Sequence, residues 1–550
     1  MKKAHFYTLS ASSLMSKKFN RLSSSLILFS RSYHCFIGKM GLVLLFLLGG
    51  VGSSWGQNVL AGWTFPTNFG PAPLTISAEC GNGSIYADGT NGSSVWTSNN
   101  SNYQFFSGNV SSPALCGVTI ASGALSPTNN ANNGKSIVFK LSTLGYKDLL
   151  LIYDTRGTSA GFKTHDWAYS TDGISFTQFQ QITGRNDVSF STQTVDFSSA
   201  TILNNKSDIY IKVTVDGATV GSGNNRFDNV KFVGTSYPIN VYTDNTLTTL
   251  VSGHNTIQAA VDDASTLAGY VITAAAGTYT ENVTVNKAVT IKGANAGIAA
   301  GNDPGSRGAE TILDGAFKMN AGGTIDGFEI INGYQFGGSP NKDGILVASA
   351  GVSVTNTIVE NVTGSQNTGI EVGYHNNFLL TNSSVINNWR GIYLNPSSGH
   401  VLSGNLIDGN DYGISSDGLT NFSMTGSSIT NNSQEGWGAS TVGSSVVANN
   451  NIIANNPIVS IAHYGGSAID ANCNWWGQAT GPLSGQNSGN VTAGTYLNSG
   501  TDNQPGTPGF QPANGTCIGP VHNINQNTYY TKIQDAVNAA NANDVIEAAD

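Results

Sequence analysis

A pattern of glycine followed by isoleucine or tryptophan recurs at nearly constant spacing through the second half of the chain. The glycines stand at 344, 369, 391, 413 and 436, so that successive copies are 25, 22, 22 and 23 residues apart. A second strand-like pattern recurs in phase with the first and begins at Ile358, Val385, Ile407, Ile429 and Ile453. Two strand signals in each repeat predict a solenoid in which every turn stacks on the one before it. This architecture is a parallel β-helix.

Stacking also explains which residue types the chain uses. Equivalent residues on successive coils lie about 4.8 Å apart, so isoleucines are expected to stack inside the coil. For the same reason Asn388, Asn410, Asn432 and Asn456 are expected to form a ladder of amide hydrogen bonds. Equal charges in such columns would repel one another, and charged residues make up only 10% of the 550 residues.

A short helix is predicted directly before the repeats, because residues 257, 260, 261 and 264 are apolar and share one helical face. Residues 256–293 resemble the N-terminal cap and first coil of right-handed parallel β-helix proteins, the pectin-lyase-like superfamily. Residues 472–482 resemble the closing segment of bacterial surface members of that superfamily. We therefore expect a right-handed parallel β-helix over 240–482, with a short N-terminal capping α-helix, and a closing segment and linker over 483–520.

The region before the solenoid has strand-length segments rich in β-branched and aromatic residues, separated by turns, which predict a β-sandwich over 58–235. The segments 61–65, 169–176 and 226–234 resemble jelly-roll modules of the carbohydrate-binding type in secreted proteins of Bacteroidetes-like bacteria. The resemblance implies a non-catalytic domain, with Asp228 as the candidate ligand of a structural Ca²⁺; no other cofactor is expected. The alternative is that Asp228 and Arg226 form a surface pair or cap turns. Trp96, Tyr103 and Trp167 are either sugar-stacking or core residues.

The first 56 residues predict export. A basic, Ser-rich stretch leads into the apolar run 40–50 and a cleavage-like pattern of small residues before Gln57, as in a signal peptide. The alternative is an uncleaved N-terminal anchor; no other run could span a bilayer, so no membrane span is expected in the mature chain. Four cysteines follow the leader, and their proximity in sequence favours Cys80–Cys116 and Cys473–Cys517 disulfides in an extracellular protein.

The last 30 residues repeat the cap. Residues 533–537 match 257–261, and 544–550 match 270–276. We interpret 521–550 as the start of a second β-helix that is truncated, so that the chain is a fragment.

A ligand site is predicted from the phase of the repeat. If the isoleucine of each repeat points inward, the residue after it and the residue three before it point outward. The two outward rows are then Leu346, Glu371, Tyr393 and Ser415, and Lys342, Asn367, Trp389 and Asp411. Glu371, Trp389, Arg390, Tyr393 and Asp411 form the candidate glycan-binding site. The alternative is that Trp389 turns inward at a corner and that the charges are merely solvated.

Three functions are compatible with these observations. The leading hypothesis is a secreted or cell-surface protein that binds polysaccharide or extracellular matrix, because no paired acids of a glycosidase or lyase are recognisable in the sequence. The second is a polysaccharide lyase or glycoside hydrolase, and the third is a structural adhesin or spacer, since the fold alone does not specify function. The net charge of −9 and the lack of a basic cluster after the leader exclude a nucleic-acid surface.

Overall fold

The computed structural model describes residues 57–65, 70–87, 102–110, 115, 123–184, 188–301, 306–337, 341–514 and 516–548. The predicted leader, Trp96 and Cys116 lie outside these ranges. Because Cys116 lies outside them, so does the predicted Cys80–Cys116 pair. The described residues form an antiparallel β-sandwich followed by parallel sheets that begin behind a short helix. The predicted all-β fold class, a jelly-roll sandwich followed by a right-handed parallel β-helix with a capping α-helix, is confirmed.

Two antiparallel sheets make up the sandwich. The first contains, by chain order, Asn58–Trp63, Gly70–Pro71, Cys80–Gly81, Tyr103–Ser107, Gly123–Pro127, Tyr146–Gly157, Ser191–Asp196 and Asn225–Ser236. The second contains Thr75–Ser77, Gly83–Ala87, Lys135–Leu141, Thr164–Ser170, Thr177–Ile182 and Ile209–Asp216. Short 3₁₀ turns occupy Asn130–Asn132 and Thr201–Leu203.

Aromatic rings fill the space between the two sheets of the sandwich. The ring centroid of Phe139 lies 5.6 Å from that of Trp63 and 6.3 Å from that of Trp167. Trp167 and Tyr103 are completely buried in this core. These two residues therefore stabilise the sandwich and do not offer a ring face to a sugar.

The capping helix, Ile257–Asp262, lies where the apolar spacing predicts it. Its buried residues, Ile257, Ala260 and Val261, pack into the solenoid core. The Glu281 carboxylate accepts hydrogen bonds from the backbone N–H groups of Ile257 and Gln258 at 2.8 and 2.9 Å. A single acidic side chain thus satisfies two donors that the first turn of a helix leaves free.

Three parallel sheets, which we call front, side and back, run along the solenoid. The front sheet contains Asn282–Val285, Thr311–Met319, Asp343–Val347, Thr368–Val372, Arg390–Leu394, Tyr412–Ser416, Glu435–Ala439, Val459–His463 and Asn487–Ser488. The side sheet contains Gly277–Tyr279, the shared strand Thr311–Met319, Glu329–Asn332, Ile358–Glu360, Ser384–Ile386, Leu406–Asp408, Ser428–Thr430 and Ile452–Ala454.

The back sheet starts with two strands that pair antiparallel and then continues in parallel. It contains Ile239–Tyr242, Leu250–His254, Val271–Ala274, Thr290–Lys292, Gly323–Asp326, Val352–Thr355, Leu379–Thr381, Val401–Ser403, Phe422–Thr425, Val446–Ala448, Ile469–Asp470 and Val491–Thr492.

Identical side chains stack inside the coils, as the repeat predicts. The front-sheet register aligns Ile345, Ile370, Ile392, Ile414, Trp437 and Ile461, all fully buried. The predicted asparagine ladder is also confirmed: each side-chain N–H₂ donates to the next side-chain oxygen at 3.1, 3.0 and 3.0 Å from Asn388 to Asn456. A second ladder, not foreseen from the sequence, joins Asn405, Ser427, Asn451 and Asn474 through backbone N–H donors.

Buried residues close the far end of the solenoid. Trp476 is 2% exposed within the segment predicted to close the coil, and a disulfide joins Cys473 to Cys517, whose Cα atoms are 5.1 Å apart. The short pair Tyr496–Leu497 and Cys517–Ile518 follows.

The last described residues reproduce the pairing of the first cap. Val521–Asn523 pairs antiparallel with both Thr528–Tyr530 and Ile546–Ala548, around the helix Ile533–Ala539. Ile239–Tyr242 pairs in the same way with Leu250–His254 and Val271–Ala274. Among the described residues, no helix has the length and hydropathy needed to cross a bilayer.

Candidate functional site

Asp228, the predicted calcium ligand, lies in the interior of the sandwich. It is fully buried, and its carboxylate accepts hydrogen bonds from the backbone N–H groups of Asn229, at 2.8 Å, and of Asn109. Arg226 instead donates to the carbonyl and hydroxyl oxygens of Ser107 at 2.8 Å. The alternative of a surface pair between Asp228 and Arg226 is therefore wrong, because the two side chains have different partners and only one of them reaches the surface.

Burial is the largest of the effects that raise the pKa of Asp228 to about 7; two backbone hydrogen bonds lower it, and the negative charges of Asp154 and Glu79 contribute to the rise. The Asn229 side chain donates to Asp154 at 2.9 Å, while its own oxygen is buried and receives no hydrogen bond in the described part of the chain. Asp228, Asp154 and Asn229 thus offer only oxygen ligands, the kind that Ca²⁺ prefers. Within the described residues there is no group of three His, Cys, Asp or Glu arranged around a common point.

The front sheet contains the residues of the predicted glycan site. Along each of its strands, side chains do not alternate strictly between inward and outward. Both the glycine and the isoleucine of each repeat face the interior: a Cβ on Gly344 would lie 2.8 Å from the buried Val359 side chain. Two successive inward residues shift the alternation by one position, as in a β-bulge. The second row that points away from the core is therefore Asp343, Thr368, Arg390, Tyr412 and Glu435. Asp343 and Thr368 are nevertheless buried, whereas the other three are partly exposed.

The first outward row is as predicted. Leu346, Glu371, Tyr393 and Ser415 align on neighbouring strands. The residues predicted for the second row, Lys342, Asn367, Trp389 and Asp411, lie one position earlier, directly before the strands. These four residues are exposed or partly exposed, as predicted, but they do not stand in the second row of the sheet because the buried glycine occupies a place in the alternation.

Aromatic and charged side chains meet across these rows in what we call the aromatic strip: Glu371, Trp389, Arg390, Tyr393, Tyr412, Glu435 and Tyr464. The ring centroids of Trp389 and Tyr412 are 5.1 Å apart. Tyr464, which is 65% exposed, donates its hydroxyl to the Glu435 carboxylate. From the strand of Glu371 to that of Tyr464 the strip crosses four strand spacings, about 19 Å along the helix axis.

Arg390 lies between two rings of the strip. Its guanidinium carbon is 5.1 Å from the Trp389 ring centroid and 4.4 Å from that of Tyr393. Burial lowers the pKa of Arg390, while nearby Tyr393, Glu371, Tyr412 and Asp343 raise it. Contact of a guanidinium with ring faces is attractive, so Arg390 holds the two rings in place.

A pair of acids adjoins Arg390. Asp343 is fully buried, and neither of its carboxylate oxygens receives a hydrogen bond from a donor in the described part of the chain. The pKa of Asp343 is raised to about 8, mainly by burial and also by the nearby charge of Glu371, while Arg390 lowers it. The neutral form of Asp343 is therefore favoured in the folded chain, because protonation avoids burying a second negative charge near Glu371.

The structure brings together Glu371, Arg390 and Tyr393 and places Trp389 at the adjoining corner. Asp411 lies at the same corner, exposed to solvent, and accepts a hydrogen bond from the Ser433 hydroxyl at 2.9 Å. Sequence reasoning missed Asp343, Tyr412, Glu435 and Tyr464. The first three directly precede the repeated glycine. Their common position in the repeat is the sequence signal that could have identified them.

The comparisons with known proteins identify one region. Residues 314–475 match the family model described as the right handed beta helix region. This segment contains the whole aromatic strip. A comparison with curated proteins gave no match.

Solved structures with local likeness cover about a quarter to a third of the chain. One is TmCBM61 in complex with β-1,4-galactotriose, with 15% identity over 27% of this chain and 86% of that chain and a TM-score of 0.18. Another is a family 29 carbohydrate-binding module from Piromyces equi, with 8% identity, 31% and 91% coverage and a TM-score of 0.18. A third is the K1 cleaved adhesin domain of Lys-gingipain from Porphyromonas gingivalis W83, with 12% identity, 30% and 97% coverage and a TM-score of 0.19. Scores this low carry no argument about function.

Proposed function

We propose that this chain is an exported protein, secreted or held at the cell surface, that binds polysaccharide, in solution or in an extracellular matrix, through the aromatic strip. The observation that carries the proposal is the set of contacts among Trp389, Arg390, Tyr393 and Tyr412 on the outside of the coil. Aromatic faces suit the apolar C–H faces of sugar rings, and carboxylates accept hydrogen bonds from sugar hydroxyls. The Cys473–Cys517 disulfide supports an oxidising, extracellular location.

Affinity electrophoresis of the full chain through gels containing soluble polysaccharides, with pull-down on insoluble ones, tests the proposal. At least one glycan should retard the protein, and the double variant Trp389→Ala/Tyr393→Ala should migrate as in a glycan-free gel. The matched control is Leu379→Ala/Val401→Ala, two neighbouring outward side chains of the back sheet, which should leave retardation unchanged. Equal retardation of the strip variant and the wild type would refute the proposal.

The pair Asp343 and Glu371 favours a second candidate, cleavage of a bound polysaccharide. One acid of the pair keeps its proton at neutral pH, and a basic side chain, Arg390, adjoins both. A carboxylic acid held neutral near a carboxylate is an arrangement used in acid–base catalysis. Asp343 is buried and Glu371 is partly exposed, so Glu371 is the member of the pair that would contact the glycan. Release of reducing or unsaturated sugar ends from a retained glycan, abolished in Glu371→Gln, would establish this activity; a bound glycan that stays intact assigns the strip to binding alone.

A structural role for Ca²⁺ in the sandwich is a separate proposal. Asp228, Asp154 and the side-chain oxygen of Asn229 would hold the ion, whose charge would replace the proton that burial otherwise leaves on Asp228. We expect excess Ca²⁺ over EDTA to raise the Tm of the wild type and to leave that of Asp228→Asn unchanged. An equal response of both proteins would place the ion elsewhere.

A further inference from the structure

Positive charge is almost absent from the coils that carry the aromatic strip. Between Lys342 and Lys532 the sequence contains a single Lys or Arg, which is Arg390. The same interval contains nine Asp and Glu residues: Asp343, Glu360, Glu371, Asp408, Asp411, Asp417, Glu435, Asp470 and Asp502. Glu371 and Glu435 of this set belong to the strip, so a ligand that lies there meets two carboxylates and a single cation, Arg390.

The one cation of this interval is already engaged. The two aromatic rings of Trp389 and Tyr393 cover Arg390, and the charges of Glu371 and Asp343 act on it. A polyanion needs cations that can pair with its carboxylate or sulfate groups in a forked geometry. Arg390 would have to leave both rings to do so.

The groups that remain for a ligand are ring faces and hydrogen-bond acceptors. Tyr393, Tyr412 and Trp389 are partly exposed, and the Glu371 and Glu435 carboxylates flank them, one on the preceding coil and one on the following coil. Sugar hydroxyls donate to such carboxylates without carrying a charge of their own. A charged sugar acid in the same place would be repelled by each carboxylate, and a partly buried site strengthens that repulsion.

We propose, resting on the polysaccharide-binding function above, that the aromatic strip takes an uncharged polysaccharide laid along the helix axis and rejects polyuronates and sulfated glycans. The length of about 19 Å, at about 4.8 Å for each coil, accommodates several consecutive sugar rings. The chemical class is a neutral hexose or pentose polymer, recognised by stacking and by hydroxyl donors to Glu371 and Glu435.

The test compares affinity electrophoresis in xylan, β-1,4-galactan and β-glucan with that in polygalacturonate, alginate and heparin, at 20 and 500 mM NaCl. We expect retardation by at least one neutral glycan, with a Kd that changes less than twofold between the two salt concentrations. Trp389→Ala should weaken this binding at least tenfold, while Leu379→Ala/Val401→Ala, on the back sheet, should not change it.

Two results would overturn the inference. Retardation by a polyanion that falls with added salt and disappears in Arg390→Gln would show that the strip takes charged glycans, and would leave the proposed polysaccharide binding intact. Retardation by none of the six glycans would contradict the proposed function as well as the inference. Circular dichroism and thermal unfolding of each variant establish that it is folded before its mobility is interpreted.

Discussion

The front and back sheets of the solenoid are built on the same coils, yet their outer surfaces differ. On the back sheet, from Val352 to Ala448, the strand residues that are not fully buried are Ser, Thr, Leu and Val: Ser353, Thr355, Leu379, Thr381, Val401, Ser403, Ser423, Thr425 and Val447. On the front sheet the corresponding outward places hold Glu371, Arg390, Tyr393, Tyr412 and Glu435 in addition to Leu346 and Ser415.

The comparison separates what the fold requires from what it does not. Both sheets have a buried aliphatic row and the same strand spacing, so stacking alone is satisfied by small polar and β-branched residues on the outside. Aromatic and charged side chains lie outward on the front sheet and not on this part of the back sheet. They are partly exposed, and they contribute neither to the buried core nor to the stacking of the coils. Their presence is the basis of the proposed glycan site, and each prediction below tests whether the interior is shared and the exterior specialised.

The largest effect is expected in the shared interior. Ile392→Ala removes a fully buried side chain between Ile370 and Ile414 and should lower the free energy of unfolding by about 2–5 kcal/mol. Tyr393→Ala, on the same strand but facing outward, should change it by about 0.5 kcal/mol or less. Urea unfolding of the two variants measures the difference. Similar losses in both would mean that the strip is part of the stabilising structure.

A smaller loss is expected from the asparagine ladder. Asn410 donates to Asn432 at 3.0 Å and to the Val385 carbonyl at 3.0 Å, and it accepts from Asn388. Asn410→Ala leaves these buried partners unpaired and should cost about 1–3 kcal/mol, measured by urea unfolding. Gln434→Ala, at an exposed position, is the control and should be nearly neutral. A neutral Asn410→Ala would show that stacking of apolar residues alone sets the register of the coils.

A pH effect is expected on the front sheet. The Asp343 pKa is raised to about 8 in the folded chain, whereas an unfolded Asp titrates near 3.9. Between about pH 4 and about pH 8 the folded state therefore binds more protons than the unfolded state. The contribution of Asp343 to stability is lost as the pH rises through this range. The variant Asp343→Asn should lack that decline. Stability curves of variant and wild type that run parallel from pH 4 to 9 would contradict a raised pKa of Asp343 in the folded chain.

The sequence determined the fold because its strongest signals are local and repeated. Glycine spacing and the isoleucine rows define the coil, and the four asparagines define one ladder without any knowledge of three-dimensional contacts. The second ladder was not visible because a serine, Ser427, takes the place of an amide in the column.

The site was only partly predictable because it depends on register. One buried glycine per repeat shifts the outward row by one residue, so Trp389 and Asp411 stand beside the strip's second row and Tyr412 and Glu435 stand in it. The raised pKa of Asp343 depends in part on Glu371, which is 28 positions away in sequence and lies on the neighbouring coil. Burial of Asp343 is a property of the packed structure, and no pattern of residue types reports it.

The end of the chain illustrates the same distinction between sequence and packing. The helix Ile533–Ala539 repeats the residues of the first cap, but Ile533 is 57% exposed and Val537 50% exposed, whereas Ile257 and Val261 are buried. The first cap contacts the strand Asn282–Val285 of the coil that follows it. A matching sequence therefore gives the same local pairing, while burial comes from the coil against which the cap packs.

Hydroxyl-radical footprinting with mass spectrometry tests the central claim most directly, because it uses the unaltered chain with and without a retained glycan. We predict that bound glycan lowers the oxidation of Trp389, Tyr393, Tyr412 and Tyr464 together. The back-sheet residues Leu379 and Val401 and the sandwich residue Tyr210 should be oxidised equally in both samples. Protection confined to the sandwich or the back sheet, with unchanged oxidation of the aromatic strip, would contradict the assignment of glycan binding to the front sheet.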